Sequence, residues 1–129
     1  MIYENSNGAF TLFQELSLSV PYAGAITDDH EWVVFGTDDG NMYVFKFNGE
    51  SYIENQNFNL ASGQARDIAL TQNHNFLAIG NVEKNVFVYK HDGTKFNHLQ
   101  TISYSSSSHK MVSITNDHQQ LTVTSRGSE

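Results

Sequence analysis

Three histidines recur along the chain at one fixed interval, and imidazole is a common metal ligand and proton carrier. His30, His74 and His118 lie 44 residues apart. A zinc ion needs each ligand nitrogen within about 2 Å, whereas equivalent positions in neighbouring structural repeats lie much farther apart than one ion can bridge. Asp and Asn, which favour turns, recur beside the histidines. We therefore interpret the histidines as turn residues and predict no metal site.

Two pairs of adjacent carboxylates are the next candidates for chemistry. Asp28-Asp29 and Asp38-Asp39 could bind a cation or carry out acid–base catalysis. However, Thr-Asp-Asp-Gly at residues 37–40 is typical of a hairpin turn. The sequence also contains no nucleophile elbow, Walker loop, dinucleotide-binding glycine motif or His-Glu-x-x-His motif. We therefore predict no catalytic residue, no cofactor and no enzymatic activity.

The segments that position these residues form a repeat of 44 residues. Met-Tyr-Val-Phe-Lys at residues 42–46 corresponds to Val-Phe-Val-Tyr-Lys at residues 86–90, and Gly49 corresponds to Gly93. The register holds without a gap across a full unit. A fixed period of this length indicates a repeat architecture in which each unit is one supersecondary element.

Each repeat reads as four short strands, which we name a to d. In the second complete repeat they are strand a at Arg66–Thr71, strand b at Phe76–Gly80, strand c at Asn85–Lys90 and strand d at about Lys95–Thr101. Asn48-Gly49 and Asp92-Gly93 stand between strands c and d, and such dipeptides supply the positive φ that tight hairpins need. No segment keeps a helical period over ten residues, so no substantial helix is predicted.

The hydrophobic pattern predicts how the strands pack. Strands b and c are apolar at successive positions, as in Val33–Phe35 and Met42–Phe45, which means that both of their faces are covered. Strand a carries small residues such as Ala23 and Ala25, which suit a crowded centre, and strand d is more polar. We expect an all-β fold of β-propeller blades, each of four antiparallel strands, with strand d at the outer edge.

A 44-residue unit of four strands resembles the WD-repeat family of β-propellers, and the resemblance covers residues 2–126. The family usually ends strand c with Trp-Asp and places Gly-His before strand a. Here strand c ends Phe45-Lys46 or Tyr89-Lys90, and Ser108-His109 is the nearest equivalent of Gly-His. The repeats are therefore degenerate, and the resemblance implies a propeller fold without the family's buried hydrogen-bond network.

The chain is predicted to form a single repeat domain over residues 1–129 with the strand order cd-abcd-abcd-ab. Its parts are a half-blade at 1–19, a blade at 22–60, a blade at 65–104 and a half-blade at 109–126. About three blades are too few to close, since propellers have about four to eight. Because the two half-blades are complementary, two copies could join head to tail as a homodimer with a closed ring of six blades. The alternative is that the chain is a piece of a longer propeller protein.

Composition limits the partners. The formal net charge is −7 and there are only seven Lys and Arg residues, scattered along the chain, so we expect no binding to nucleic acid or to an anionic membrane. The sequence has no cysteine, no signal peptide and no apolar run long enough to span a bilayer. We predict a soluble cytoplasmic protein.

The predicted function is a non-catalytic scaffold for protein–protein interaction, whose partner is a protein or peptide. One alternative is a ligand-binding, metal-binding or enzymatic propeller that uses the channel mouth, and another is a structural segment of a larger propeller protein. Loop positions on the channel faces are the candidate partner-binding residues: Tyr22, Asp38, Asp39, Arg66, Glu83, Lys84 and His109.

Overall fold

Regular structure in the computed structural model is entirely β-strand over the residues it describes, which are 1–61, 63–104 and 109–126. The twelve strands are β1 (Ile2–Ser6), β2 (Ala9–Gln14), β3 (Pro21–Ile26), β4 (Trp32–Thr37), β5 (Asn41–Phe47), β6 (Tyr52–Asn59), β7 (Ala65–Leu70), β8 (Phe76–Asn81), β9 (Asn85–His91), β10 (Phe96–Ser103), β11 (His109–Ile114) and β12 (Leu121–Arg126). Within these ranges there is no helix, and so none that could cross a membrane.

The strands form four antiparallel sheets in the predicted order. Two sheets are complete: blade 1 is β3-β4-β5-β6 and blade 2 is β7-β8-β9-β10, each running from strand a to strand d. The N-terminal half-blade is the pair β1-β2, which are strands c and d, and the C-terminal half-blade is the pair β11-β12, which are strands a and b. The predicted strand order cd-abcd-abcd-ab is confirmed.

Strand pairing repeats with the sequence period. Val34 pairs with Val44 in blade 1, and Ala78 pairs with Val88 in blade 2. The c–d turns also repeat, since Gly49 and Gly93 have φ of 100° and 103°, a conformation that glycine adopts without steric cost. The predicted hairpin glycines are therefore confirmed.

Apolar side chains lie in three clusters, one between each pair of consecutive sheets. The cluster between the two complete blades is the largest and includes Trp32, Val34 and Ile79, all nearly or fully buried. A second cluster lies between the N-terminal half-blade and blade 1, and a third between blade 2 and the C-terminal half-blade. Strands b and c of the two complete blades are thus covered on both faces, as their continuous apolar runs predicted.

Strands a of successive sheets contact each other, β3 with β7 and β7 with β11, at the inner side of the stack. Close approach there depends on one glycine in strand b of each complete blade. A Cβ added to Gly36 would lie 2.5 Å from the Ala65 Cβ, and one added to Gly80 would lie 2.2 Å from the Lys110 carbonyl oxygen. These glycines occupy the same repeat position, so each lets the next sheet pack against strand b.

Candidate functional site

The repeated histidines are turn residues in the structure. His30, His74 and His118 have φ of 64°, 53° and 64°, the left-handed region in which histidine is enriched among non-glycine residues. Each donates its backbone N–H to the carbonyl of the threonine three residues earlier, at 2.9, 2.8 and 2.9 Å. The interpretation of these histidines as turn residues is confirmed.

Hydrogen bonds within turns engage two of the carboxylates that were candidates for chemistry, Asp29 in the a–b turn of blade 1 and Asp39 in its b–c turn. Asp29 accepts hydrogen bonds from the Thr27 hydroxyl and from the backbone N–H of Glu31, and the Thr27 bond is the main cause that lowers the pKa of Asp29. Asp39 accepts from the Thr37 hydroxyl and from the Asn41 amide, and its pKa is lowered chiefly by Thr37. Across the described part of the chain, no three His, Cys, Asp or Glu residues form a group that could hold a metal ion.

Two of the histidines also contact an aromatic ring of the preceding sheet, a role that the repeat alone did not indicate. The His74 ring stacks on Trp32 of the preceding sheet at a centroid distance of 4.7 Å. One repeat later, the His118 ring lies 4.4 Å from that of Phe76. The His91 ring lies 5.1 Å from that of Trp32. His91 Nε2 and Trp32 Nε1 are both buried, and neither has a hydrogen-bond partner in the part of the chain that the structure describes. These rings form contacts between blades and present no open site.

Tyr22 and Arg66 are the predicted partner-binding residues that the structure brings together. They hold the same position in strands a of blades 1 and 2, and the Arg66 guanidinium carbon lies 4.1 Å from the centre of the Tyr22 ring. Tyr22 is 45% exposed. Arg66 Nη2 donates to Gln64 Oε1, while Arg66 Nε is buried and has no hydrogen-bond partner among the described residues. An exposed tyrosine stacked on an arginine therefore lies at the sheet end that carries the b–c turns and the d–a connections, which we call the b–c end.

Asp38 and Asp39 lie at the same end in the b–c turn of blade 1. The backbone N–H of Asp38 donates to the Val20 carbonyl at 3.0 Å, which ties this turn to the connection before β3. Asp39 is exposed, but its carboxylate is engaged by the turn itself. Asp38 is partly exposed and is the more available of the two for a partner.

Glu83 and Lys84 lie in the corresponding turn of blade 2 and are exposed. The Glu83 side chain packs against Gly63 of the d–a connection, and the Lys84 carbonyl accepts a hydrogen bond from Tyr104 N–H at 2.7 Å. His109 begins β11, but its side chain lies outside what the structure describes. All the described candidates thus lie at the b–c end, and the side chains of Tyr22 and Arg66 are in direct contact there.

A glutamine in strand d makes a contact between blades that the sequence analysis missed. Gln14 Nε2 donates to the Tyr52 carbonyl at 2.9 Å, and Tyr52 N–H donates to Gln14 Oε1 at 2.7 Å. Gln56 binds both backbone groups of Phe96 in the same way, at 2.8 and 2.7 Å. We call this pair of bonds the glutamine clamp. The signal was present in the sequence, because glutamine recurs at 14, 56 and 100.

The N-terminal half-blade exposes residues that are buried in complete blades. Tyr3 is 52% exposed, whereas its equivalents Phe45 and Tyr89 are 6% and 8% exposed. Phe10 is 71% exposed, whereas its equivalents Tyr52 and Phe96 are 7% and 3% exposed. The preceding sheet covers these positions in blades 1 and 2. The half-blade therefore exposes a sheet face made of large apolar residues of the kind that is buried in the complete blades.

A groove of about 590 Å³ opens beside β1, the inner strand of that half-blade. Its walls include Ile2 and Tyr3 of β1 and Ile26, His30 and Tyr52 of blade 1. Among the described strands, β1 pairs with β2 on one edge and with none on the other. In the two complete blades, strands a and b occupy the corresponding place.

Solved structures with the same arrangement of strands were found by comparison of folds. The structures titled "Crystal structure of RRP9 WD40 repeats" and "Structure of U3-55K" each superpose with a TM-score of 0.66 at 15% sequence identity. They cover 87% of this chain, but the chain spans only 34% and 35% of theirs. No family model matches the chain, and no curated protein matches it. At this identity the likeness shows the fold alone, and it confirms WD-repeat-like propeller blades.

Proposed function

We propose that this protein is a non-catalytic propeller scaffold that binds a protein or peptide at the b–c end. The observation that carries this proposal is the contact between Tyr22 and Arg66 at 4.1 Å, which places an exposed aromatic ring and a guanidinium together on two adjacent blades. Tyrosine and arginine are the residue types enriched at protein interfaces and at their energetic centres. The WD-repeat-like fold supports a scaffold role in general terms.

Arg66 also defines what the partner offers at this point. Its Nη2 is held by Gln64, whereas Nε lacks a hydrogen-bond partner in the described part of the chain. A guanidinium binds carboxylates through short hydrogen bonds, often in pairs. Because Arg66 is partly exposed, a carboxylate or backbone carbonyl of the partner would bind the accessible part of its guanidinium while an apolar side chain packs on Tyr22.

The charge of the chain supports a protein partner over nucleic acid or an anionic membrane. The net charge is −7, and phosphate surfaces select clusters of Lys and Arg. Among the candidates at the b–c end, Asp38, Asp39 and Glu83 offset Arg66 and Lys84. A cytoplasmic location stays a prediction from the sequence.

Partner capture with matched variants tests the scaffold proposal. We expect the combined change Tyr22→Ala and Arg66→Ala to remove specific partners from a quantitative pull-down from cells of the source organism, while circular dichroism shows that the fold persists. The control changes Glu50 and Lys95 to alanine, both exposed in the c–d turns at the opposite end of the sheets. Equal partner sets for all three proteins would contradict the proposed surface.

We also propose that two copies of the chain form one ring of six blades. The exposure of Tyr3 and Phe10 supports this proposal, because the same repeat positions are buried wherever a preceding sheet is present. A chain with an open apolar face and a free strand edge associates readily. Sedimentation equilibrium should give a dimer at micromolar concentration, and a monomer that persists there would contradict the ring.

A further inference from the structure

We propose that β12 of a second copy occupies the groove beside β1 in one fixed register, and that Gln100 of that copy clamps the backbone of Phe10. This inference rests on the ring of two copies proposed above. It specifies the junction at which β12 of one copy pairs with β1 of the other, which we call the seam. Each ring would contain two such seams, because both copies have a groove and a β12 strand.

The register follows from the two complete blades. Val33 of strand b pairs with Phe45 of strand c in blade 1, and Leu77 pairs with Tyr89 in blade 2. Leu121 is the equivalent of Val33 and Leu77 in β12. The seam therefore pairs Leu121 of the second copy with the β1 residue that is equivalent to Phe45.

That β1 residue is Tyr3, as an irregularity shared by all three c–d hairpins shows. Strand c residues Ile2, Val44 and Val88 pair with Gln14, Gln56 and Gln100, and the register shifts next to each of these pairs. Ile2 is thus equivalent to Val44, and Tyr3 is equivalent to Phe45. The seam register is therefore Leu121 opposite Tyr3 and Thr122 opposite Ile2.

Gln100 is the third glutamine of the clamp series, and it differs from the other two in its surroundings. Gln14 and Gln56 each bind the backbone N–H and carbonyl of a residue in the next blade. Gln100 is exposed, and no hydrogen bond of its side chain is found in the described part of the chain. Phe10 is the repeat equivalent of Tyr52 and Phe96, whose backbones Gln14 and Gln56 bind. In the ring, Gln100 would therefore bind the backbone of Phe10 of the other copy.

The a–b turns supply a second link of the same kind. The backbone N–H of Asp28 donates to Gln72 Oε1, and the N–H of Gln72 donates to Asn116 Oδ1 at 3.0 Å, so each turn is bound by the next one. By the same repeat, the backbone N–H of Asn116 would donate to the Asp28 carboxylate of the other copy. The seam thus continues two hydrogen-bond series that run through the chain.

The C-terminal half-blade departs from the repeat on the side that would face blade 1 of the other copy. Thr122 stands where blades 1 and 2 have Val34 and Ala78, and Thr124 stands where they have Gly36 and Gly80. Both threonines are exposed. Since the glycines permit the closest approach of strand a, the sheets must stand farther apart at Thr124. The strength of the seam therefore comes from β12, Gln100 and the apolar face of the N-terminal half-blade.

Engineered disulfides test the register, since the native chain has no cysteine. The variant carries Tyr3→Cys and Leu121→Cys in the same chain. Directly opposed residues of an antiparallel pair lie about 4.5–5.5 Å apart at Cα, within the range of a disulfide. Mild oxidation should convert most of the protein to a covalent dimer on a non-reducing gel. The control carries Glu4→Cys and Leu121→Cys, and it should cross-link little because adjacent residues point to opposite faces of a strand.

The possible outcomes distinguish an error in the proposed register from an error in the proposed ring of two copies. A dimer by sedimentation that cross-links in the control and not in the test variant would overturn the register and leave the ring standing. A monomer by sedimentation would overturn both, and a ladder of larger species would overturn closure by two copies. Gln100→Ala should weaken the dimer at least about tenfold, because each seam loses two hydrogen bonds. An unchanged dimer dissociation constant for Gln100→Ala would overturn the proposed clamp.

Discussion

Substitution of Gly80 by alanine tests directly whether close approach of the sheets stabilises the fold. The added methyl carbon would lie 2.2 Å from the Lys110 carbonyl oxygen and 2.8 Å from its carbonyl carbon. Ordinary contact between a carbon and a carbonyl oxygen is about 3.3 Å or more. The backbones of β8 and β11 would therefore have to separate by about 1 Å. Both groups belong to backbone in strands, so neither can rotate away as a side chain can.

The expected loss of stability follows from three terms. Forced separation in a packed interior costs about 1–3 kcal/mol. The hydrogen bond from Val112 N–H to the Asp67 carboxylate, 2.8 Å long, joins the same two sheets, and its loss adds about 1 kcal/mol. Replacing a strand glycine by alanine returns about 0.5–1 kcal/mol of backbone entropy. We expect the free energy of unfolding to fall by about 2 kcal/mol.

Gly24→Ala is the matched control, because the same methyl group is added at another strand glycine with negative φ. There the nearest atoms belong to the Phe35 ring, at 3.1 Å, and the ring can turn aside. We expect its effect on stability to stay within about 0.5 kcal/mol. Urea unfolding followed by circular dichroism measures both variants at one protein concentration, and hydrogen exchange should show faster exchange in β11 and β12 for Gly80→Ala alone. Equal effects of the two substitutions would refute the reasoning.

Three further predictions concern contacts between blades. Gln56→Ala should lower the free energy of unfolding by about 1–3 kcal/mol because it removes a two-bond clamp, whereas Gln100→Ala should leave the urea midpoint of the dilute monomer nearly unchanged. Burial is the main cause that lowers the pKa of His91, with the His74 and Lys46 charges adding to the shift and Asp92 opposing it. The folded protein therefore resists a proton that the unfolded chain accepts, so stability should be full above about pH 6.5 and decline as the pH falls below it. His91→Phe should flatten this decline in pH-dependent urea midpoints, and an unchanged slope would show that His91 is not its source. Thr124→Gly should tighten the dimer in sedimentation experiments by restoring close approach at the seam, and a weaker dimer would contradict the placement of Thr124 there.

Several features of the fold could be predicted from the sequence because they depend on local chemistry. Turn dipeptides and recurring Asp and Asn mark the hairpins, and the continuous apolar runs of strands b and c require cover on both faces. Even the histidine turns followed from this reasoning. The candidate partner-binding residues were placed on loops of the channel faces, and their role in binding stays a prediction.

The engagement of Asp39 by Thr37 and Asn41 shows where such reasoning reached its limit. The residue type was compatible with both a turn and a binding site, and only the direction of its carboxylate decided between them. The sequence offers no signal for that direction, because both uses place an aspartate in the same loop.

By itself, the sequence determined the repeat, the number and order of the strands and the positions of the turns, because period and turn chemistry act within one blade. Only the tertiary structure decided which side chains meet between blades, such as Trp32 with His74, Gln56 with Phe96 and Tyr22 with Arg66. Those contacts depend on the offset and angle between neighbouring sheets. Packing of the whole stack sets that geometry, and a repeat period contains no information about it.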